Sequence, residues 1–369
     1  MLLPAFLSIA TIRQRIQDQI IVFSASRYAE NVGKVYPSGR THLYSIRPSG
    51  TGLKQLTTGD CSDIVPALSK DGRHILFWRC KADVYEDEFF EGSDNFFELC
   101  SVDLNGNDQH RLNFRIFGIP PTGLAEAFER YKPGTITSVL NPSGHLRIHS
   151  KDRSVTVGMV DLFSPNGSHV FAYPDDYVKK LVDYDVRFID VATGRTIALN
   201  DKYYSPAWID DKTFVATLGG TQTLVILSAT GREQLRKRIK YSMPKLDYEV
   251  TPFDGRPEDR RAFSLGSTGL FLLEIRLPSS DGGYNYFFRV DMNLGTAKFI
   301  AQQTIEAMSL DGLYFLTAKY GWVDGYHGLG AGKLCKLFLW DAKKLTSEPI
   351  GFRLMTCFGA CFATAPGKP

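Results

Sequence analysis

Residues 43–77 read LYSIRPSGTGLKQLTTGDCSDIVPALSKDGRHILF and contain four short apolar runs separated by turns. Within each run apolar residues alternate with polar ones, which is the period of a half-buried β-strand. The Pro-Ser-Gly-Thr-Gly and Lys-Asp-Gly-Arg segments supply the residues that tolerate the backbone angles of tight hairpins. The stretch therefore predicts four short antiparallel strands in consecutive order.

The same pattern returns along the rest of the chain, and we group it into six repeats. The predicted strands are 20–23, 42–47 and 53–57; 64–68, 74–78, 96–102 and 109–114; 158–163, 169–173, 184–191 and 195–199; 204–209, 213–218, 223–227 and 234–239; 261–265, 270–277, 284–291 and 297–301; and 304–308, 313–319, 334–340 and 348–352. Where insertions are absent the repeat is about 45 residues long, which is a propeller period.

The first repeat lacks an inner strand, and one spare run, residues 360–364, remains at the C-terminus. Supplying that strand from the C-terminus would close a ring and leave no unpaired edge at the seam. We therefore predict an all-β fold, a six-bladed β-propeller of four-stranded antiparallel blades. Residues 20–369 form this single domain, and residues 1–19 form an N-terminal segment ahead of it.

Short motifs in these repeats resemble a known family. They are LYSI at 43–46, GTGLKQLT at 50–57, PALSKDGR at 66–73, ILF at 75–77, SPAW at 205–208 and SLDG at 309–312. Together they resemble the TolB-type, WD-like propeller repeat, and this resemblance implies a six-bladed propeller. Because that family spans exported scaffold proteins and the propeller domains of peptidases, it implies the fold and leaves the function open.

The charge balance gives no sign of a polyanion partner. The chain has 43 basic and 40 acidic residues, a net charge of +3, whereas nucleic-acid binders concentrate Lys and Arg. The densest basic run, REQLRKRIK at 232–240, alternates with Leu235 and Ile239, and we interpret it as a solvated strand face rather than a phosphate-binding patch. No apolar stretch approaches the roughly 20 residues that span a bilayer.

The N-terminus and the cysteines bear on the compartment. Residues 2–9 are apolar and precede Ala10, which fits either a partial signal peptide or a plain segment packed on the body. The six cysteines are Cys61, Cys80, Cys100, Cys335, Cys357 and Cys361. Their even number in two groups fits one disulfide per group, with buried free thiols as the alternative. We favour an exported bacterial protein, periplasmic or secreted.

The long insertions are expected at one end of the propeller. They are the joints between second and third strands at 24–41, 79–95, 174–183 and 320–333, and the links between repeats at 113–157 and 240–260. Long loops gathered around an axial depression are the expected ligand surface. The opposite end, with only short turns, is expected to be smooth. Within the longest link, residues 124–131 (LAEAFERY) predict two helical turns that pack against the loop-rich rim or cap its mouth.

Aromatic residues on these insertions are the candidates for the binding face, because aromatics are enriched at protein interfaces. They are Tyr28, Tyr36, Tyr85, Phe89, Phe90, Tyr177, Trp322, Tyr326 and His327. Packing of the loops on one another is the alternative role of these rings. The acidic insertion that begins at Glu86 lacks the ligand spacing of a calcium loop, and we predict no metal and no cofactor.

No linear catalytic motif is present, neither a G-x-S-x-G elbow nor a metalloprotease helix nor a phosphate-binding loop. We therefore assign no catalytic residue and favour a monomeric, non-catalytic binding or scaffold propeller whose ligand is a protein or peptide, or else a glycan. The alternative is a carbohydrate-active or hydrolytic enzyme with a pocket on the central axis. Its ionisable residues would be His42, Asp63, His74, His169 and His327.

Overall fold

The structure is a computed structural model of the 369-residue chain. It describes residues 18–31, 34–81, 96–117, 120–121, 123–131, 134–138, 145–149, 154–172, 187–199, 203–218, 221–242, 260–265, 269–277, 284–309, 311–322, 333–351 and 359–365. Within these ranges the chain forms 27 strands and one helix. The all-β class predicted from the alternating pattern is therefore correct.

Two compact units make up the chain. The terminal unit comprises Met1–Arg115 and Ile305–Pro369, and the middle unit comprises Ile116–Thr304. Because each has its own sheets and its own core clusters, they are described separately below.

The terminal unit contains three sheets. Sheet 1 consists of β1 (Gln19–Asn31), β2 (Lys34–Ile46), β3 (Lys54–Gln55) and the C-terminal strand β27 (Ala360–Thr364). Sheet 2 consists of β4 (Ser62–Leu68), β5 (His74–Cys80), β6 (Phe96–Asp103) and β7 (His110–Phe117). Sheet 7 consists of β23 (Thr304–Met308), β24 (Tyr314–Trp322), β25 (Lys333–Asp341) and β26 (Thr346–Ile350).

The middle unit contains four sheets. Sheets 3 and 4 are formed by β8 (Ile136–Ser138), β9 (His145–His149), β10 (Ser154–Phe163), β11 (His169–Ala172), β12 (Arg187–Asp190) and β13 (Arg195–Ile197). Sheet 5 consists of β14 (Tyr203–Trp208), β15 (Thr213–Leu218), β16 (Thr223–Ser228) and β17 (Glu233–Arg238). Sheet 6 consists of β18 (Lys240–Ser242), β19 (Arg260–Ser264), β20 (Leu270–Leu277), β21 (Tyr284–Asp291) and β22 (Thr296–Ala301). In sheet 6, β18 adds in parallel beside β22.

Strand β10 divides between two sheets, and this corrects the predicted number of blades. Its first part pairs with β9, which pairs with β8, to form sheet 3. Its second part pairs with β11 and begins sheet 4, which continues through β12 and β13. The fold is thus an all-β propeller of four-stranded antiparallel blades with seven sheets, and the prediction of six is wrong. The link 113–157, interpreted as a loop, contains the extra sheet, whose three-residue strand β8 is too short to show an alternating pattern.

The C-terminal strand completes the N-terminal sheet, as predicted. Strand β27 pairs antiparallel with β1 from Gln19 opposite Thr364 to Phe23 opposite Ala360. Sheet 1 packs against sheet 7 through a cluster that includes Phe362 and Leu316. On its other side it packs against sheet 2 through a second cluster. Buried apolar area of this kind is the main stabilising contribution to the unit.

Aromatic packing holds sheets 4 and 5 of the middle unit together. The rings of Phe171, Phe188, Trp208 and Phe214 lie with centroids 4.9 to 5.8 Å apart. These separations are in the range of favourable aromatic pairs. A separate apolar cluster joins sheet 5 to sheet 6.

The recurring Ser-x-Asp-Gly segment forms the same turn wherever it is described. In the turn from β4 to β5, the Ser69 hydroxyl donates to Asp71 Oδ1 at 2.6 Å, and the backbone N–H of His74 donates to Ser69 Oγ at 3.0 Å. The Asp71 carboxylate also accepts from a backbone N–H, and these hydrogen bonds lower its pKa, the one from Ser69 most. Equivalent bonds form at Ser309 and, with Asn in place of Asp, at Ser164. The motif is therefore a local turn signal that needs no tertiary partner.

Helix α1 (Leu124–Arg130) confirms the predicted helix but lies at a different place. It packs on the short turn between β10 and β11, where the backbone of Gly167 meets Ala127. Gly123 precedes the helix at φ 81° and lies against Phe163. For sheet 4, the expectation that the short-turn end is smooth and that α1 lies at the loop-rich rim is therefore wrong.

We expect Gly167→Ala to destabilise the fold more than Gly312→Ala. Both glycines have nearly the same left-handed angle, φ 69° and 68°, so each substitution carries a strain of about 1–2 kcal/mol. A Cβ at Gly167 would also overlap Ala127 Cα, whereas nothing lies within 4 Å of one at Gly312. Overpacking of that kind costs roughly 1–3 kcal/mol more. Urea unfolding of both variants measures the difference, and equal losses would contradict this packing of α1.

Candidate functional site

Two hairpins of the terminal unit extend past the other strands of their sheets. In sheet 1, β1 and β2 stay paired as far as Asn31 opposite Lys34. Strand β27 leaves β1 at Phe23, and β3 pairs only with Tyr44 and Ser45. The predicted loop at 24–41 is thus mostly a β-hairpin, which corrects the sequence interpretation.

Sheet 7 has the same feature at the equivalent joint. Strands β24 and β25 stay paired as far as Trp322 opposite Lys333, whereas β26 pairs with β25 only from Leu337 onward. Because sheets 1 and 7 share a core cluster, the two extensions belong to neighbouring sheets. We call residues 27–31 with 34–38, and residues 320–322 with 333–335, the hairpin arms.

A buried ion pair lies near the base of the first hairpin arm. The guanidinium of Arg79 donates from Nε to Asp63 Oδ1 at 2.6 Å and from Nη2 to Oδ2 at 2.8 Å. His42, which pairs with Ala25 at the start of the arm, places Nδ1 3.7 Å from Asp63 Oδ2. Asp63 is fully buried, so its charge requires the bidentate partner.

The register of sheet 2 explains why these two side chains meet. Asp63 and Arg79 lie directly opposite each other on β4 and β5, and such cross-strand neighbours are close enough to interact. Arg79 also lies over the Phe77 ring at 5.3 Å and donates to Gln109 at 3.3 Å. The arrangement fixes the guanidinium on several sides.

Three buried polar atoms on β2 and β4 have no hydrogen-bond partner among the described residues. They are Thr41 Oγ1, His42 Nδ1 and Ser62 Oγ. Buried polar atoms normally have a partner. We call His42, Asp63 and Arg79 the Asp63 cluster. Its carboxylate is already held by Arg79, so the cluster is suited to anchoring the hairpin.

The structure describes three of the nine aromatic and His candidates, and only by their backbone. Tyr28 lies opposite Pro37 and Tyr36 opposite Ala29 in the first arm, and Trp322 is the last residue of β24 in the second. All three are therefore on the hairpin arms. The other six, Tyr85, Phe89, Phe90, Tyr177, Tyr326 and His327, lie outside the described residues.

The five ionisable residues of the enzyme hypothesis do not form one group among the described residues. Only His42 and Asp63 come together. His74 lies beside a short turn, with Nδ1 3.7 Å from Asp71 Oδ2. His169 belongs to the middle unit, where it stacks on Phe188, and burial lowers its pKa despite a nearby carboxylate. His327 lies outside the described ranges, and within them no three His, Cys, Asp or Glu side chains could hold a metal.

Sequence reasoning missed Arg79. A signal for it was present, since Asp63 and Arg79 are each eight positions from Asp71 in the hairpin turn. Opposite charges at mirrored positions of a hairpin are expected to pair. No comparable signal exists for the approach of His42 to Asp63, because it depends on the contact between sheets 1 and 2.

Of the described cysteines, Cys61 and Cys100 are free thiols, which agrees with the free-thiol alternative for these two residues. Cys357 and the side chain of Cys335 lie outside the described part. Burial raises the pKa of Cys100 to about 11, and the nearby Arg79 opposes that shift.

Comparison with known proteins gives likeness in fold and no family assignment. No protein-family model matches the chain, and no curated protein matches its sequence. Among similar solved structures, TolB from Acinetobacter baumannii is 12% identical over 94% of this chain and 67% of its own, with a TM-score of 0.45. A putative TolB from Agrobacterium tumefaciens is 13% identical over 94% and 98%, with a TM-score of 0.41. An oligogalacturonate lyase in complex with manganese is 13% identical over 89% and 77%, with a TM-score of 0.31. At these values none of them assigns a function to this chain.

We expect Asp63→Asn to destabilise the protein strongly, because it leaves the largely buried Arg79 guanidinium without a counter-charge. Removing one partner of a buried pair typically costs about 3–5 kcal/mol. The matched control is Asp60→Asn, which removes an exposed partner of Arg40 and should cost less than about 1 kcal/mol. Chemical denaturation measures both, and a small loss for Asp63→Asn would contradict a structural role for the pair.

We also expect Cys100 to react slowly with iodoacetamide in the folded protein. The reactive species is the thiolate, and with a pKa of about 11 it is scarce at pH 8. Labelling followed by mass spectrometry should show at least tenfold slower modification of Cys100 than of the half-buried Cys61. The Cys100 rate should still rise between pH 8 and pH 10. Equal rates at pH 8 would contradict the buried placement of Cys100.

Proposed function

We propose that this protein is a non-catalytic binding propeller that docks a protein or peptide on its hairpin arms. The observation that carries this proposal is the extension of β1 and β2 past both neighbouring strands of sheet 1. In the described part of the chain no further strand pairs with residues 27–31 or 34–38. Such a hairpin leaves backbone N–H and C=O groups on its edges, and extended peptides commonly bind by adding to such edges.

The base of the arm provides a rigid support for such an interface. Binding residues are most effective when they stand on well-packed elements. Here the backbone N–H of Ser24 donates to the Gly359 carbonyl at 3.3 Å, and Leu43 N–H donates to Thr57 Oγ1 at 2.9 Å. The Asp63 cluster adds a bidentate ion pair at the same place. The arm therefore starts from a fixed point at the junction of sheets 1 and 2.

The aromatic candidates complete the proposed surface. Tyr28 and Tyr36 belong to the first arm and Trp322 to the second, so the proposal keeps them as contact residues. The remaining candidates, Tyr85, Phe89, Phe90, Tyr177, Tyr326 and His327, stay in the proposal on sequence grounds. Aromatic side chains bring large contact areas at a small loss of conformational entropy.

The enzymatic alternative has less support. Of its four described ionisable residues only His42 and Asp63 lie together, and the Asp63 carboxylate is held by Arg79. A carbohydrate-active or hydrolytic site requires a group that is free to exchange a proton with substrate. No observation among the described residues supplies one, so we do not develop this alternative.

We further propose that the protein acts as an exported monomer in a bacterium, in the periplasm or secreted. The resemblance of its repeats to the TolB type and the apolar N-terminal segment favour this location. Among the described residues, no helix has the length and hydropathy to cross a membrane.

Affinity capture from the native extract tests the proposed function. In one variant, residues 28–37 are replaced by Asn-Gly, which joins the paired Arg27 and Ser38 through a two-residue turn. A second variant is Trp322→Ala with Tyr326→Ala. We expect each to lose proteins that the wild type retains. The control is Leu294→Ala in the middle unit. Because Leu294 is 75% exposed and lies outside the hairpin arms, this variant should capture the same proteins as the wild type.

Recovery of the same proteins in equal amounts by all four forms would rule out the hairpin arms as the docking site. Thermal unfolding of each variant should accompany the capture experiment. The shortened hairpin keeps the pairing of β1 with β2 from Ile21 to Arg27. The thermal unfolding midpoint of this variant is therefore expected to stay close to that of the wild type.

A further inference from the structure

A row of exposed cations runs along β17 and into β18 in the middle unit. Residues 232–240 contain five basic residues and one acidic residue. Arg232, Arg236, Arg238 and Lys240 are exposed, while Ile239 is buried. The interpretation of this run as a solvated strand face is therefore correct, and the structure adds where that face lies.

The row follows the geometry of an extended chain. Alternate residues on one face of a strand are about 6.6–6.8 Å apart, which sets the spacing of Arg236 and Arg238. Lys240 continues the series where the chain passes to sheet 6. There, parallel pairing places Ser242 opposite Lys298, which is also exposed.

Most of these cations form no ion pair with any acidic side chain among the described residues. Arg236 pairs with Glu233, with Nη2 2.6 Å from Oε2. In the described part of the chain, no acidic side chain forms an ion pair with Arg232, Arg238, Lys240 or Lys298. The chain as a whole is nearly balanced, with 43 basic and 40 acidic residues. Within the described part of the chain, the positive charge of this row is therefore only partly compensated by acidic side chains.

The strand that carries the row is also an outer strand. Sheet 5 has the order β14-β15-β16-β17, and no described strand pairs with the outer edge of β17. An edge lined with Lys and Arg resists pairing with another strand of similar charge. The same edge favours a strand of opposite charge, because complementary charges add to the backbone hydrogen bonds.

We propose that Arg232, Arg236, Arg238, Lys240 and Lys298, which we call the basic edge, bind an extended acidic peptide segment of a partner protein. Acidic residues at every second position of such a segment would match the spacing of the cations. Their carboxylates would accept bidentate hydrogen bonds from the arginines. This surface lies in the middle unit, so the inference does not depend on the hairpin arms.

Two other anionic partners fit this surface less well. A membrane would need a broad basic patch, whereas the basic edge is one strand wide over most of its length. Single-stranded nucleic acid is held by aromatic side chains on which bases stack. Residues 232–240 contain no aromatic residue. A linear acidic peptide requires neither a broad basic patch nor aromatic side chains for stacking.

Fluorescence anisotropy with labelled synthetic peptides tests the proposal. The probe is a ten-residue peptide of alternating Glu and Thr, and its comparison has the same composition with the Glu residues in one block. The variant carries Arg232→Gln, Arg238→Gln and Lys240→Gln. The matched control carries Lys54→Gln, Arg73→Gln and Lys343→Gln, three exposed cations of the terminal unit, and so has the same net charge.

We expect the wild type and the control to bind the alternating peptide equally. The basic-edge variant should bind it at least tenfold more weakly, which corresponds to about 1.4 kcal/mol. Binding should weaken as salt is raised, and the block peptide should bind less tightly than the alternating one. If the triple variant does not fold, the double variant Arg238→Gln with Lys240→Gln is compared with the control instead, and a smaller loss of affinity is expected.

Three outcomes would overturn the proposal. One is equal binding of the alternating peptide by the basic-edge variant and the control. Another is equal binding of the block and alternating peptides, which would indicate charge attraction without a strand-like fit. The third is tighter binding of a single-stranded oligonucleotide of the same charge. The hairpin variants leave the basic edge intact, so failure here is distinct from failure of the proposed function.

Discussion

The terminal unit depends on the pairing of its last strand with its first. Strand β27 covers the edge of β1 that would otherwise leave backbone N–H and C=O groups unpaired next to a buried core. It also contributes Phe362 and Ala363, which are almost completely buried between sheet 1 and its neighbours. Both core clusters of the unit therefore include the C-terminal strand. Because the paired residues are more than 330 positions apart in the chain, this contact carries a large loop-closure entropy and is held by packing.

This closure sets the conditions for the candidate site. The hairpin of β1 and β2 extends from a sheet that is packed on both sides, and the Asp63 cluster sits where that sheet meets sheet 2. A buried ion pair contributes little net stability compared with an apolar replacement. Its value here is positional, because it fixes His42 and the start of the arm relative to β4.

The two proposed surfaces depend on different kinds of interaction. The hairpin arms offer backbone edges and aromatic residues, an interface governed by shape and burial. The basic edge offers a line of charges with regular spacing, an interface governed by electrostatic complementarity and sensitive to salt. A propeller of repeated sheets accommodates both, since each sheet exposes its own joints and its own outer strand.

Much of the fold followed from local chemistry that the sequence contains. The Ser-x-Asp-Gly turn forms from hydrogen bonds within six residues, so the motif alone locates the hairpins at Ser69 and Ser309. Period-2 alternation located most strands, the 3.6-residue spacing located α1, and the spare run at 360–364 predicted the closing strand. The backbones of the candidates Tyr28, Tyr36 and Trp322 lie on two hairpins that extend from sheets 1 and 7. The insertion at 24–41 was nevertheless interpreted as a loop.

The rest was decided by contacts between residues distant in the chain. The seventh sheet exists because β10 is long enough to pair on one side with β9 and on the other with β11. Helix α1 lies on the β10–β11 turn because Gly167 has no side chain to keep it away. His42 and Asp63 meet only because sheets 1 and 2 pack together, and a pattern of alternating residues contains no information about which sheet a strand will face. Sequence determined the strands and their turns, and tertiary packing determined which polar groups they bring together.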